Sequence, residues 1–204
     1  MTINQLALTG RRHITLTVTG IIGIGYTLSW IAGLSIPAPS PSFTATNSQI
    51  ATALAGHGPA VALQFALTEG LPAIGIAVVS VALARTARSR LTLITGLTAA
   101  AISVVMFALG LVLVAGTHPA VYHAIDRIDG VKMLLLAVLG IAGASAAVLP
   151  RWLRYAGGAL AVSISVSGIA YLLLLPSLSG AAAPGLIFLL VFITGSGLVL
   201  GKTR

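Results

Sequence analysis

The sequence predicts an all-α fold, a polytopic membrane helix bundle of about six transmembrane helices with the N-terminus and the C-terminus in the cytoplasm. Three observations support it: few charges, six long apolar segments, and an uneven distribution of Lys and Arg between the loops. Of the 204 residues, 57% are apolar and only 7% are Asp, Glu, Lys or Arg, whereas soluble domains carry about 25% of these charged residues. Because so few charges cannot cover a globular surface, lipid is expected to solvate much of the chain.

Six segments are long and apolar enough to cross a hydrocarbon core of about 30 Å, which takes about 20 helical residues. They are residues 14–36, 60–83, 92–115, 131–149, 156–175 and 183–200. The first segment is longer than the apolar part of a cleaved signal peptide, so we expect it to be retained as a span. Residues 1–204 are therefore interpreted as a single transmembrane domain.

The basic residues set the predicted orientation. With six spans, nine of the eleven Lys and Arg fall on one side of the membrane, and only Arg127 and Lys132 fall on the other. Cytoplasmic loops carry the excess of these residues, so the first side is predicted to be cytoplasmic. The net charge of +8 is interpreted as this topology signal, and no nucleic-acid partner is expected.

Composition and motifs also exclude several chemistries. The chain has no Cys, which excludes disulfides, thiolate metal sites and cysteine nucleophiles. Neither G-x-x-x-x-G-K-[ST] nor G-x-G-x-x-G occurs, so no nucleotide-binding loop is present. The sequence does not indicate a cofactor, so the cofactor is unknown at this point.

Glu69 is the only ionisable residue well inside a predicted span. Counted from Ala60 at about 1.5 Å per residue, it lies about 14 Å deep, near the midplane of the membrane. A charge at this depth costs at least about 2.5 kcal/mol, so an intramembrane carboxyl is a functional candidate by default. Glu69 is expected to be protonated, paired or exposed to a wet cavity, and Lys132 is the nearest basic residue by depth.

Pro72 adds to this candidate site. It cannot donate a hydrogen bond to the carbonyl of Thr68, so the helix is expected to kink or loosen beside Glu69. A buried carboxyl next to freed backbone groups suits a proton relay, a cation site or a catalytic acid. The alternative is a protonated Glu69 that hydrogen-bonds a neighbouring helix and only stabilises the bundle.

Polar residues also collect in the predicted outer loop before the fourth span. A short helix from Pro119 to Asp129, lying at the membrane interface, would place three of them on one side at three-residue steps. Imidazole and carboxylate groups of this kind suit Zn, Mn or Fe, but the spacing matches no standard metal motif. An Asp–Arg or Asp–Lys ion pair and a site for a polar substrate or protons are the alternatives. The residues of this possible outer-face polar site are His57, His118, His123, Asp126, Asp129 and Lys132.

Small residues recur every four positions on three predicted spans, a spacing that lets helices approach closely in lipid. We expect these seams to pack helices within the chain, with a homo-oligomer as the alternative. The residues are Gly96 and Ala100, then Gly157, Ala161 and Ser165, then Gly197 and Gly201.

Two short segments carry a resemblance. Residues 129–134, Asp-Gly-Val-Lys-Met-Leu, and residues 149–154, Leu-Pro-Arg-Trp-Leu-Arg, look like segments of small, uncharacterised multi-helix membrane proteins of actinobacteria. The resemblance covers about a dozen residues. It implies the plasma membrane of a bacterium, and it implies no activity and no site.

The first functional hypothesis is a small permease, channel or transporter subunit with the lipid bilayer as its surroundings and a small cationic ligand. Glu69 would be its intramembrane proton or cation site, and His123, Asp126 and Asp129 would lie at the outer mouth. Protonation of Glu69 would be coupled to helix movement at the Pro72 kink.

Two alternatives remain open. One is an intramembrane enzyme, cyclase- or isomerase-like, that acts on a lipophilic ligand with Glu69 as general acid. His123 or Asp126 would then be the partner group, if the fold brings them close. The other is an accessory membrane subunit without chemistry of its own.

Overall fold

The computed structural model describes residues 3–116 and 119–202, and in this part of the chain every regular element is helical, without strands. A π-helical turn, Ala66–Gly70, joins α3 to α4, and a 3₁₀ turn, Pro176–Ala181, precedes α8. The α-helices are α1 Ile3–Leu34, α2 Asn47–Leu54, α3 Gly58–Phe65, α4 Leu71–Ala87, α5 Arg90–Gly116, α6 Pro119–Ser145, α7 Arg151–Leu172 and α8 Ala182–Lys202.

The prediction of a polytopic helix bundle is confirmed. Among the described residues, five helices are long and apolar enough to cross a membrane, and α1 contributes a shorter apolar stretch, Val18–Leu34. Large apolar side chains also cover the outside of the bundle, such as Ile21, which is 66% exposed, and Val162, which is 70% exposed. A surface of this kind is stable only against lipid.

The expected short interfacial helix is not a separate element, because it is continuous with the fourth predicted span. The segment from Pro119 to Asp129 is the first part of α6, which runs unbroken to Ser145. Gly130 at the junction does not interrupt the helix, because it packs closely against Gly168, and Asp129 pairs with Lys132 one turn later. At its other end, α6 stops at Ser145, before the turn that precedes Pro150, whereas the predicted span continues to residue 149.

The long helices follow one another up and down. Arg88 takes a left-handed conformation with φ of 53°, and the N–H of Ser89 bonds the carbonyl of Ala84 at 3.0 Å. This αL cap lets α5 begin after only two residues, so α4 and α5 are antiparallel neighbours. The same alternation brings five Arg residues to one end of the bundle, called here the arginine end: Arg85, Arg88, Arg90, Arg151 and Arg154.

The helices form a closed ring in chain order. The α3–α4 pair packs on α5, α5 on α6, α6 on α7 and α7 on α8, and α1 closes the ring between α4 and α8. Hydroxyl groups help to hold α1 to α8, since Thr27 and Thr194 hydroxyls lie 2.7 Å apart and Thr194 also donates to the carbonyl of Gly23 at 2.8 Å. Bonds of this kind are effective where no water competes.

The predicted small-residue seams pack helices of the same chain against one another. A Cβ added to Gly157 would lie 2.8 Å from the carbonyl oxygen of Gly140, and one added to Gly197 would lie 2.8 Å from that of Thr19. A Cβ added to Gly96 would lie closer still to the side chain of Ser80. Because these glycines contact helices of the same chain, their role is intramolecular packing, and the homo-oligomer stays a prediction.

Two hydrophobic clusters fill the ring. The larger one occupies the half nearer the arginine end and includes Leu83, Leu153 and Leu200. The smaller one occupies the opposite half and includes Ile50 and Leu113. Glu69 and Lys132, each only 5% exposed, lie in the layer between the two clusters. The bundle therefore encloses a charged layer inside an apolar core.

We predict that Gly130→Ala weakens the bundle. A Cβ at this position would lie 2.7 Å from the carbonyl oxygen of Gly168 on α7, so the two helices must separate, at a cost of about 1–3 kcal/mol. Unfolding of the purified protein in mixed detergent micelles measures the change. Gly25→Ala is the matched control, because nothing lies within 4 Å of its added Cβ, and equal stabilities of the two variants contradict the prediction.

Candidate functional site

All three acidic side chains of the chain line one cavity. The chain has only three Asp and Glu residues, and Glu69, Asp126 and Asp129 all face a cavity of about 160 Å³. Ser40, Gln64 and Tyr122 add polar groups to its wall, and apolar side chains from α2, α3, α5 and α6 complete the wall. We call it the acidic cavity. It has room for several water molecules or one small organic cation.

Glu69 reaches this cavity from the π-helical turn. The N–H of Leu71 bonds the carbonyl of Ala66, five residues back, which is the π-helical pattern. The next such bond would run from residue 72 to Leu67, and Pro72 has no N–H to make it. The Ser29 hydroxyl of α1 donates to the Leu67 carbonyl instead. The irregular turn is therefore satisfied by a neighbouring helix.

Close packing holds the π-helical turn against α1 and α5. A Cβ on Gly33 of α1 would lie 2.6 Å from the Thr68 side chain, and one on Gly70 would lie 3.4 Å from the ring of Phe107. The Thr68 hydroxyl donates back to the carbonyl of Gln64 at 2.9 Å. These contacts fix the direction in which Glu69 projects.

Lys132 joins two of the three carboxylates. Its ammonium donates to both oxygens of Glu69, at 2.6 Å and 2.8 Å, and lies 2.7 Å from Oδ1 of Asp129, one helical turn back on α6. The Ser103 hydroxyl of α5 is also a hydrogen-bonding neighbour of Glu69. An ionised Glu69 and a protonated Lys132 suit this geometry, because charge-assisted bonds offset part of the loss of hydration.

His123 and Asp126 form a second, differently arranged pair. Nε2 of His123 donates to the carbonyl of Ala45 at 3.0 Å, so Nδ1 is unprotonated when the ring is neutral. Nδ1 faces Oδ2 of Asp126 at 3.8 Å, and within the described part of the chain neither atom has a hydrogen-bond partner. Two electron-rich atoms that face each other repel, so a proton or a cation between them is stabilising.

The loop after α1 borders the cavity at the end opposite the arginine end. Pro39 and Ser40 line the cavity, and the Tyr122 hydroxyl donates to the carbonyl of Pro41 at 2.9 Å. The rings of Phe43 and Tyr171 meet edge to face with centroids 4.7 Å apart. The loop is thus anchored to α6 and α7 and passes over the three carboxylates.

The structure brings together some of the residues of the predicted outer-face polar site and separates others. Glu69, Lys132 and Asp129 form one group, and His123 and Asp126 form one pair. His57 is exposed, and its ring bonds the nearby carbonyl of Ala55. His118 lies outside the described residues. Among the described residues no three His, Asp or Glu side chains form a group that could hold a metal ion, so the hypothesis of a Zn, Mn or Fe site gains no support.

Sequence reasoning missed several neighbours of these groups. Gln64 and Tyr122 line the cavity, Ser103 faces Glu69, and Ser29 completes the π-helical turn. Gln64 carries a detectable signal, since it lies five residues before Glu69 in the same apolar span. Ser29 and Ser103 carry none, because hydroxyl side chains are common in apolar helices and only helix packing shows what they face.

We predict that Ser29→Ala leaves the Leu67 carbonyl without a partner and lowers stability by about 1–3 kcal/mol. In a Pro72→Ala background the new N–H can bond that carbonyl, so Ser29→Ala should then lower stability by less. Unfolding of the four proteins in mixed micelles gives the coupling free energy. Equal effects of Ser29→Ala in the two backgrounds contradict this account of the π-helical turn.

Lys132→Met should lower stability by about 3–5 kcal/mol, because two buried carboxylates lose their cation. Arg127→Met on the same helix is the control. Arg127 is exposed, so its replacement should change stability by no more than about 0.5 kcal/mol. Thermal denaturation in mild detergent compares the two variants, and similar losses would show that Lys132 does not hold the acidic layer together.

The chain matches no family model, no curated protein and no solved structure. The resemblance to small actinobacterial membrane proteins is therefore not extended by any of these comparisons. The geometry of the acidic cavity is the basis for inferring a function.

Proposed function

We propose that this multi-pass membrane protein is a small permease for protons or small cations, with Glu69 as its intramembrane carboxylate. The observation that carries the proposal is the convergence of every acidic side chain of the chain on one cavity, where two of the three carboxylates share one ammonium group. Charged groups inside a membrane are expensive and usually mark an ion or proton pathway. Three carboxylates beside one cation attract further positive charge.

His123 and Asp126 are the first binding position in this proposal. Nδ1 of His123 and Oδ2 of Asp126 face each other without a proton donor between them. A proton or a small cation that enters from this end of the bundle is held there first. Asp129, three residues farther along α6 and also on the cavity wall, is the next acceptor.

Lys132 acts as an internal competitor in the same proposal. It occupies the position between Glu69 and Asp129 that an incoming cation would take. Protonation of Glu69, or binding of a cation beside it, weakens the electrostatic attraction between Lys132 and Glu69. Glu69 projects from the irregular Ala66–Gly70 turn, so a change at Glu69 is transmitted to the helix at a point where few backbone bonds resist it.

The proposal includes an orientation in the plasma membrane of a bacterium. The arginine end faces the cytoplasm, because cytoplasmic loops carry the excess of Lys and Arg. The acidic cavity then opens on the opposite side. Five described Arg residues at one end and three carboxylates nearer the other support this orientation.

The enzyme and accessory hypotheses have less support. A cavity of about 160 Å³ is smaller than the 300–1,000 Å³ of typical small-molecule sites, so an isoprenoid-sized substrate does not fit. Both oxygens of Glu69 accept from Lys132, which opposes a role as general acid. A purely structural network would not leave His123 and Asp126 without a hydrogen bond between them.

Cation-driven currents test the proposal. We expect purified protein in liposomes, adsorbed on a solid-supported membrane, to give a current after a concentration jump of H⁺, Na⁺, K⁺ or methylammonium. Glu69→Gln keeps the size of the side chain but removes its charge, and should lower that current at least about tenfold, an increase of about 1.4 kcal/mol in the barrier. Asp126→Asn should lower it in the same direction.

Arg127→Gln is the control for this experiment, because it removes an exposed charge from α6 outside the cavity. Circular dichroism and the elution profile confirm that each variant is folded. A wild-type protein that carries none of the four cations overturns the permease proposal. A full current in folded Glu69→Gln overturns the role of the intramembrane carboxylate.

A further inference from the structure

A second cavity lies at the arginine end, between the end of α6 and the first turns of α7. It has a volume of about 490 Å³ and is lined by Ala144, Arg151, Arg154, Tyr155, Gly158 and Ala159. We call it the arginine groove. Its volume is within the usual range for small-molecule sites, and it shares no residue with the acidic cavity.

The groove presents two guanidinium groups and no carboxylate. All three acidic side chains of the chain line the other cavity, so no Asp or Glu of this chain competes for Arg151 or Arg154. Arg154 is held in place, because its Nε donates to the carbonyl of Ala144 at 2.8 Å. This bond uses one nitrogen and leaves the two terminal nitrogens for a ligand, which is the fork that binds phosphate oxygens.

The position of the groove favours a lipid over a soluble anion. Tyr155 is 76% exposed beside it, at a helix end where aromatic rings lie among lipid headgroups. Gly158 leaves the floor open, since nothing lies within 4 Å of a Cβ added there. Basic pockets between transmembrane helices bind the headgroups of anionic lipids. We infer that the arginine groove is a binding site for an anionic glycerophospholipid, with its phosphate held by Arg151 and Arg154.

Native mass spectrometry of the full chain in mild detergent tests this inference, with phosphatidylglycerol as the probe and phosphatidylcholine as the neutral-headgroup control. We expect one phosphatidylglycerol to be retained at lipid concentrations where phosphatidylcholine is not. The double variant Arg151→Gln/Arg154→Gln should lower the affinity for phosphatidylglycerol at least about tenfold, because two charge-assisted contacts are lost.

Two further variants distinguish lipid binding in the groove from a general effect of charge and from misfolding. Arg85→Gln/Arg90→Gln removes two exposed charges from the same end of the bundle and should keep the affinity of the wild type. Gly158→Leu keeps both Arg residues but fills the groove, and should also lower the affinity about tenfold. Gly158→Leu keeps the bond between Arg154 and Ala144. It therefore tests the inference even if the Arg151→Gln/Arg154→Gln variant does not fold.

Several results overturn the inference. Equal retention of the two lipids shows that the headgroup charge is not recognised. Wild-type affinity in Gly158→Leu shows that the lipid binds elsewhere. Equal losses in the two Arg double variants show a general charge effect. Displacement of phosphatidylglycerol by millimolar inorganic phosphate shows that the groove recognises a soluble anion instead of a lipid.

Discussion

The buried ion pair between Glu69 and Lys132 is the constraint on which the rest of the bundle depends. Removing two charges from water costs several kcal/mol per ion, and only good geometry with additional hydrogen bonds offsets this cost. Here the ammonium meets both oxygens of Glu69 and also Asp129. The helices that carry these groups must therefore stay at a fixed distance and rotation, and the close Gly130–Gly168 crossing beside Lys132 keeps α6 against α7.

The pair also explains why the apolar core has two parts. One hydrophobic cluster packs toward the arginine end and the other packs under α2 and the loop after α1. Neither cluster contains the charged layer, and the acidic cavity occupies the space where that layer meets the smaller cluster. A cavity lined by charges inside a packed bundle is a place where water and small cations are stable although lipid surrounds the protein.

Charge is separated along the bundle axis. The three carboxylates converge on one cavity, and five described Arg residues collect at the opposite end, two of them in a groove without any acidic side chain. This separation gives each end a different chemistry. We propose that one end binds cations inside the protein and that the other end binds anionic groups at the surface. The proposed permease activity and the proposed lipid site therefore rest on different residues and can fail separately.

The sequence by itself determined the fold class and singled out Glu69 as a candidate, because hydropathy and the rarity of charge depend on composition and order alone. It also pointed to Lys132 by depth, but placed Asp126 and Asp129 on an interfacial helix, since charged residues usually end a membrane span. Only the tertiary structure showed that α6 continues through them. Asp129 pairs with Lys132, which reaches Glu69 of the α3–α4 helix, and His123 beside Asp126 bonds the loop after α1. The π-helical turn and its bond from Ser29 were likewise decided by packing between helices, which hydropathy and spacing do not record.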